Sequence, residues 1–173
     1  MDNMIFKRTS VRKYTDQPVT KEQIGMLLRA GMAAPSAKNV QPWEFVVIQN
    51  RETMLKIMEF HPYSSMLEKA PLVILVCGNR AKIAVEGIED LWVQDCAAAT
   101  QNILLEATEL GLGGVWLGVY PKKEVINHFA ELLILPDNII PFSLLSIGYP
   151  EGEVIPKDKF NSERIHWERW SGK

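Results

Sequence analysis

Two arginines and a serine alternate near the start of the chain, within the stretch KRTSVRK at residues 7–13. In an extended segment Arg8, Ser10 and Arg12 point to the same side, and in a helix Arg8 and Arg12 share a face four residues apart. Either geometry gathers two guanidinium groups and a hydroxyl, a set of donors that suits a phosphate monoester. The alternative interpretation is a solvated basic N-terminus that binds nothing.

A second polar group of residues lies just before a predicted strand. The stretch PSAKNVQ at 35–41 supplies a hydroxyl, an ammonium and two carboxamides, and Pro42 then holds the chain extended. Aromatic and β-branched residues over Trp43–Ile48 predict the strand itself. A loop with so many neutral hydrogen-bonding groups indicates a polar partner.

A glycine-rich stretch, GLGG at 111–114, follows a predicted helix and precedes a predicted strand. This is the reverse of the order in dinucleotide-binding motifs, and the chain has no GxxxxGK[ST] sequence, so a Rossmann or P-loop site is disfavoured. Two uses remain open. The glycines end the helix in a tight turn, or they let backbone groups approach a flat ligand closely.

Hydrolytic and metal chemistry find little support. The histidines His61, His128 and His166 are far apart, and the chain has no HExxH, no GxSxG and no clustered carboxylate pair. Neither a metal site nor a catalytic side chain is expected. Cys77 and Cys96 form no CxxC pair and are predicted to be buried, reduced thiols.

The composition limits the kind of partner. The 173 residues include 19 Lys and Arg against 21 Asp and Glu, a net charge of −2, which favours neither nucleic acid nor an acidic membrane. The longest strongly apolar run, 71–78, is too short to cross a bilayer, and the N-terminus lacks a secretion pattern. We therefore expect a cytoplasmic protein with one domain over 1–173, ending in a polar C-terminal arm at about 152–173.

The predicted elements alternate along the chain. Capping residues and hydrophobic periodicity predict helices at 21–33, after Asn50, at 88–110 and at 122–130, and strands at Trp43–Ile48, 72–77, 115–119 and 142–149. This order favours an α/β or α+β sandwich with a central mixed sheet of four to five strands flanked by helices. Ala97, Ala98 and Ala99 keep the middle of the long helix thin, which suits either close approach of another helix or a central core position.

Four motifs follow one another along nearly the whole chain: RTSVR at 8–12, PSAKNVQPW at 35–43, DCAAATQN at 95–102 and GLGGVWLG at 111–118. With these motifs the chain resembles the nitroreductase family of FMN-dependent oxidoreductases. The resemblance implies an α+β, nitroreductase-like flavoprotein that forms a homodimer through the long helix. It also implies one FMN in each of two clefts at the subunit boundary.

The resemblance further implies which residues hold FMN. The strip 8–12 would clamp the phosphate and the ribityl or pyrimidine edge, the loop 35–41 would reach over the flavin of the other subunit, and 114–118 would run beside the isoalloxazine ring. Lys159 would contact the phosphate, with Arg164 as a second candidate. The implied cofactor-binding residues are Arg8, Thr9, Ser10, Arg12, Pro35, Ser36, Ala37, Asn39, Gln41, Gly114, Val115, Trp116, Leu117, Gly118, Lys159 and Arg164.

Some positions depart from the family pattern. Thr9 stands where small members frequently have another Arg, and Lys159 stands where an Arg is more usual. The chain therefore offers fewer bidentate donors to the phosphate. It also lacks the inserted helices that cap the substrate pocket of larger members, which implies an open pocket.

The implied chemistry is carried by FMN, because no amino-acid side chain transfers hydride reversibly. We expect NAD(P)H to reduce the flavin and leave, and a nitroaromatic, quinone or enone then to accept the hydride in a ping-pong cycle. Arg12 would stabilise negative charge at the pyrimidine edge. The alternatives are other flavin chemistry on the same fold, such as dehalogenation or flavin breakdown, and FMN binding without turnover.

Overall fold

The computed structural model describes residues 3–83, 87 and 89–170. Within these residues the chain forms five α-helices and four β-strands. The helices are α1 (Met4–Lys7), α2 (Lys21–Met32), α3 (Arg51–Phe60), α4 (Trp92–Glu109) and α5 (Lys123–Leu133), and the strands are β1 (Trp43–Ile48), β2 (Leu72–Asn79), β3 (Gly113–Gly118) and β4 (Ile139–Gly148).

The four predicted helices and the four predicted strands are confirmed, and local sequence signals explain most of their ends. Thr20 and Gln23 form the predicted capping box of α2, and Asn50 caps α3 through the backbone N–H of Thr53. Gly111, at φ +71°, follows α4 and ends it. The predicted start of that helix, Ile88, lies outside the described residues.

The sheet has the strand order β1-β2-β4-β3, and all three pairings are antiparallel. The prediction of a mixed sheet is therefore wrong for these four strands, which form an antiparallel sheet. Ile48 at the end of β1 pairs with Val73 at the start of β2, so the connection through α3 returns the chain to the end of the sheet that it left. The only parallel bonding among the described residues is a single bridge between Ser10 and Gly114.

Both faces of the sheet are covered, which explains why β2 is apolar at nearly every position. Leu72, Ile74 and Val76 belong to the core cluster that includes residues of α2 and α4, whereas Val73 and Leu75 belong to the cluster that includes residues of α3 and α5. A strand with helices on both sides needs a continuous rather than an alternating hydrophobic pattern.

The two cysteines are free and buried, as predicted. Burial raises the pKa of Cys77 to about 12 and raises that of Cys96 as well. Neither thiol is therefore disposed to act as a nucleophile. No helix in the described part of the chain has the length and apolar character needed to cross a membrane.

Candidate functional site

The N-terminal strip, residues 8–12, is extended and lies against β3. Arg8 follows the last turn of α1 with φ −60° and ψ 123°, and the backbone N–H of Val11 donates to the carbonyl of Gly114 at 3.0 Å. Val11 packs against the core, while Ser10 and Arg12 on either side of it are exposed. Of the two geometries left open by the sequence, the extended one is therefore correct, and the even-numbered side chains project away from the core.

Gly113 makes this close docking possible. A Cβ built at Gly113 would lie 2.6 Å from Cγ2 of Val11, closer than real Cβ contacts come. The glycine run thus allows a second segment of the chain to approach β3, a use that differs from the close approach to a flat ligand that was predicted for it. The docked segment is the strip itself.

The C-terminal arm, 152–170, borders the strip. A groove of about 520 Å³ is lined by Arg8, Thr9 and Lys159, among others, and a second of about 460 Å³ by Ser10, Arg12 and Lys159. Each volume lies in the range of small-ligand sites. Within the described residues neither Arg8 nor Arg12 has a salt-bridge partner. The cationic donors expected around a phosphate are therefore close together and available.

Arg164, the second predicted phosphate contact, lies elsewhere on the arm. It ends a short 3-10 turn, Ser162–Arg164, is exposed, and lines neither groove. In the single chain, only Lys159 of the two predicted arm residues accompanies the strip.

The loop at 35–41 has an unusual backbone. Lys38, Asn39 and Gln41 have φ values of 48°, 56° and 48°, in the left-handed region that residues other than glycine seldom adopt. The hydroxyl of Ser36 accepts from the N–H of Gln41 at 3.0 Å, and the side-chain amide of Gln41 donates to Asn39 Oδ1 at 3.3 Å. The predicted polar groups are thus partly used to hold the loop in shape.

The loop is tied to α4 by a buried carboxylate. The N–H of Ala37 donates to Oδ1 of Asp95 at 3.0 Å, and Asp95 is only 7% exposed. Burial raises the pKa of Asp95, while the Ala37 N–H acts in the opposite direction. Asp95 is absent from the predicted binding residues. The signal for it was a carboxylate among the apolar positions of the predicted long helix, where ionisable groups are rare without a partner.

The predicted ring-binding strand, β3, lies at the edge of the sheet beyond β4. Val115 and Leu117 point into the core shared with α5, and Trp116 packs against Phe142 on the opposite face, with ring centroids 5.8 Å apart. Gly118 is exposed, and its carbonyl lies 3.1 Å from Nε2 of the buried His61. His61 therefore contacts the end of β3 from a buried position.

The single chain assembles part of the predicted site and leaves another part away from it. The strip, Gly114 and Lys159 come together, through the backbone contact to β3 and the shared grooves. None of residues 35–41, all of them described, lines either groove. The donors that the single chain brings together are of the kind that suits a phosphate monoester, the group at one end of FMN.

A family model described as the nitroreductase family matches residues 5–61 and 59–149, most of the chain. The chain belongs to the nitroreductase family. The resemblance predicted from the four motifs is confirmed, and with it the prediction of an oxidoreductase of this family.

Nitroreductase relatives cover almost the full length of the chain. A protein of Archaeoglobus fulgidus, provisionally named an NADH dehydrogenase/NAD(P)H nitroreductase, is 46% identical over 96% of this chain and 97% of its own. The crystal structure of a provisionally named NADH oxidase from Clostridium acetobutylicum is 44% identical, with a TM-score of 0.91 over 97% of this chain and 100% of that one. An FMN-dependent nitroreductase of Clostridium difficile is 28% identical, with a TM-score of 0.88 over 98% and 100%. The predicted nitroreductase-like α+β fold is confirmed.

Proposed function

We propose that this nitroreductase-family protein is an FMN-dependent oxidoreductase that takes electrons from NADH or NADPH and passes them to a small acceptor such as a nitroaromatic, a quinone or an enone. The observation that carries the proposal is the docking of the strip on β3, where Val11 bonds to Gly114. This contact places the strip, whose arginines have no salt-bridge partner among the described residues, beside the strand expected to follow the flavin ring. The names of the relatives, which include FMN and NAD(P)H, support the choice of cofactor and donor.

Each part of the site would have its own task in binding. Arg8, Ser10, Arg12 and Lys159 would donate to the phosphate and the polar edge, with Thr9 between them and Arg164 as a further cation. The polar loop residues Pro35, Ser36, Ala37, Asn39 and Gln41 would close over the ring from the partner subunit. The β3 residues Gly114, Val115, Trp116, Leu117 and Gly118 would form the bed beside it.

FMN, when bound, supplies reversible hydride chemistry that side chains lack. The chain binds and orients it, and the charge of Arg12 would favour negative charge at the pyrimidine edge. The nicotinamide nucleotide and the acceptor would use the same exposed face of the flavin in turn. This order of events is ping-pong.

The homodimer is part of the proposal, and the C-terminal arm supports it. From 152 to 170 every described residue except His166 is exposed, including several large apolar side chains. Trp167 and Trp170 are 82% and 80% exposed, and Phe160 is 77% exposed. Apolar side chains grouped on one segment usually mark an interaction surface. A second copy of this chain, whose long helix also presents the half-buried Ala97 and Ala98, is the occupant that we propose.

A cytoplasmic location also belongs to the proposal. It is supported by the two free, buried thiols, which are typical of a reducing compartment.

The direct experiment is to load the purified protein with FMN, remove oxygen, and add NADH or NADPH. The proposal predicts a yellow protein that bleaches on adding a nucleotide and recovers its colour on adding an acceptor. A screen of acceptors against both nucleotides would then identify the preferred pair. A yellow protein that never bleaches would indicate binding without turnover, and a protein that stays colourless at saturating FMN would overturn the proposal.

A further inference from the structure

The loop at 35–41 holds a conformation that is costly on its own. Three of its residues, Lys38, Asn39 and Gln41, are left-handed without being glycine. Such residues persist only where the surrounding structure fixes them. Within the loop, side-chain bonds join Ser36 to Gln41 and Asn39 to Gln41. Backbone bonds join Asn39 to Ser36 and Val40 to Ala37. These bonds shape the loop and do not fix its position on the protein.

Among the described residues, two hydrogen bonds to side chains outside the loop tie it to the body. One joins Nζ of Lys82 to the carbonyl of Gln41 at 3.4 Å, but this ammonium is solvent-exposed and also pairs with Glu44 at 2.9 Å. The other is the 3.0 Å bond from the Ala37 N–H to Asp95 Oδ1. The Asp95 bond is shorter, and its acceptor is buried on a long helix. It is therefore the firmer of the two ties.

Asp95 lies in an environment that disfavours a carboxylate. It is more than nine-tenths buried, and its second oxygen, Oδ2, has no hydrogen-bond partner among the described residues. Leaving a buried polar atom unpaired destabilises a fold, so an apolar residue here would suit the core better. The contact with Ala37 is what Asp95 does that an apolar residue could not do.

We infer that Asp95 is a positioning residue, whose side-chain oxygen accepts from Ala37 and thereby fixes the loop that closes over FMN. The inference rests on the proposed function for the identity of the ligand, and it rests on the hydrogen bond itself for the order of the loop. Asp95 would act through the loop, and no contact between Asp95 and FMN is required.

The test compares Asp95→Ala with Asp95→Asn. Asparagine keeps an oxygen that can accept from Ala37, and alanine does not. Thr100→Ala is the matched control, because Thr100 is fully buried on the same helix and bonds to Ser143 instead of the loop. Should Asp95→Ala fail to fold, Ala37→Pro removes the same bond from the donor side, and the extended Ser36 at φ −144° and ψ 154° tolerates a following proline.

Hydrogen exchange of the FMN-free protein is the first measurement. The inference predicts that amides at 36–41 exchange about tenfold faster in Asp95→Ala, as expected for the loss of one hydrogen bond, and near the wild-type rate in Asp95→Asn and Thr100→Ala. Unchanged exchange in Asp95→Ala, or equal acceleration in Asp95→Asn, would overturn it. This measurement needs no flavin, so it stands apart from the proposed function.

FMN affinity and steady-state kinetics are the second measurement. Asp95→Ala should bind FMN about tenfold more weakly, and kcat at saturating FMN should stay near wild type, because the loop is mispositioned and no reacting group is lost. Asp95→Asn should restore the affinity. An affinity unchanged in Asp95→Ala would contradict the role of the loop, whereas wild-type protein that binds no FMN would contradict the proposed function and leave the exchange result intact.

Discussion

The strip at 8–12 and the loop at 35–41 are expected at the same flavin, and the fold holds them in different ways. The strip is fixed by its backbone, through Val11 on Gly114. The loop is fixed by a side chain, through Ala37 on Asp95. Backbone docking leaves the strip's side chains free to bind a ligand. Because the Asp95 bond is the firmer of the loop's two ties, a single substitution there should loosen the loop.

Removing the strip's charges should have the largest effect. In Arg8→Ala/Arg12→Ala the backbone contact to β3 remains, so the fold should persist. At the proposed site two charge-assisted hydrogen bonds to the phosphate would be lost, and FMN should bind roughly 100-fold more weakly or worse. Titration of FMN fluorescence measures this. Lys21→Ala/Arg29→Ala, which removes the same charge from the exposed face of α2, is the control, and equal loss in both pairs would refute a specific phosphate site.

Shortening the arm's apolar side chains should come next. Trp167→Ala/Trp170→Ala removes two exposed indoles that the dimer would bury, and the dimer dissociation constant should rise roughly thirtyfold. Sedimentation measures the change. Tyr63→Ala is the control, since Tyr63 is 71% exposed but lies outside the arm. An unchanged dimer dissociation constant in Trp167→Ala/Trp170→Ala would show that the arm is not part of the interface.

Displacing the strip without touching its charges should have a smaller effect on FMN. In Gly113→Ala the new Cβ meets Val11, so the strip must shift and FMN should bind about tenfold more weakly, with a stability loss of about 1–3 kcal/mol. Gly25→Ala is the control, because outside the backbone of its own helix no atom of the described residues lies within 4 Å of its added Cβ. Wild-type affinity in Gly113→Ala would show that the docking on β3 does not position the phosphate ligands.

The pH dependence of stability should give the smallest effect, on the loop side. The pKa of Asp95 is raised above its unfolded value of 3.8, so ionisation opposes folding. Wild-type stability should therefore carry a penalty that grows as pH rises from about 3.8 to the raised pKa and is constant above it. Asp95→Asn cannot ionise, so its unfolding free energy minus that of wild type should grow over that window and then level off. Chemical denaturation across pH measures this, and the same substitution at the exposed Asp137 is the control. If this difference in unfolding free energy shrank with rising pH, the pKa of Asp95 would be lowered by folding and the prediction would be wrong.

Local signals made much of the fold predictable. The capping residues Thr20 and Asn50 began their helices where expected, and Gly111 ended the long one. The unbroken apolar run of β2 indicated a strand covered on both faces. The direction of strand pairing could not be predicted, because a helical connection permits either direction and only the contact of Ile48 with Val73 decides it.

The candidate site shows the same limit. The spacing of Arg8, Ser10 and Arg12 indicated convergence but was consistent with a strand or a helix. The hydrogen bond from Val11 to Gly114 on β3 decides for the extended form. Asp95 was predictable as a carboxylate on a buried face, whereas its partner Ala37 lies 58 residues away in the chain. Contacts across such a distance arise from packing and not from local sequence pattern.

Mixed dimers test most directly whether two chains build each site. One subunit carries Arg8→Ala/Arg12→Ala, its partner carries Ser36→Ala/Asn39→Ala, and the two are purified together through different tags. If the strip of one chain meets the loop of the other, one of the two sites keeps a wild-type strip and a wild-type loop. The mixed dimer should then bind about one FMN at near wild-type affinity, while each homodimer binds weakly at both sites. A mixed dimer with two equally weakened sites would place strip and loop in the same chain and contradict the shared site.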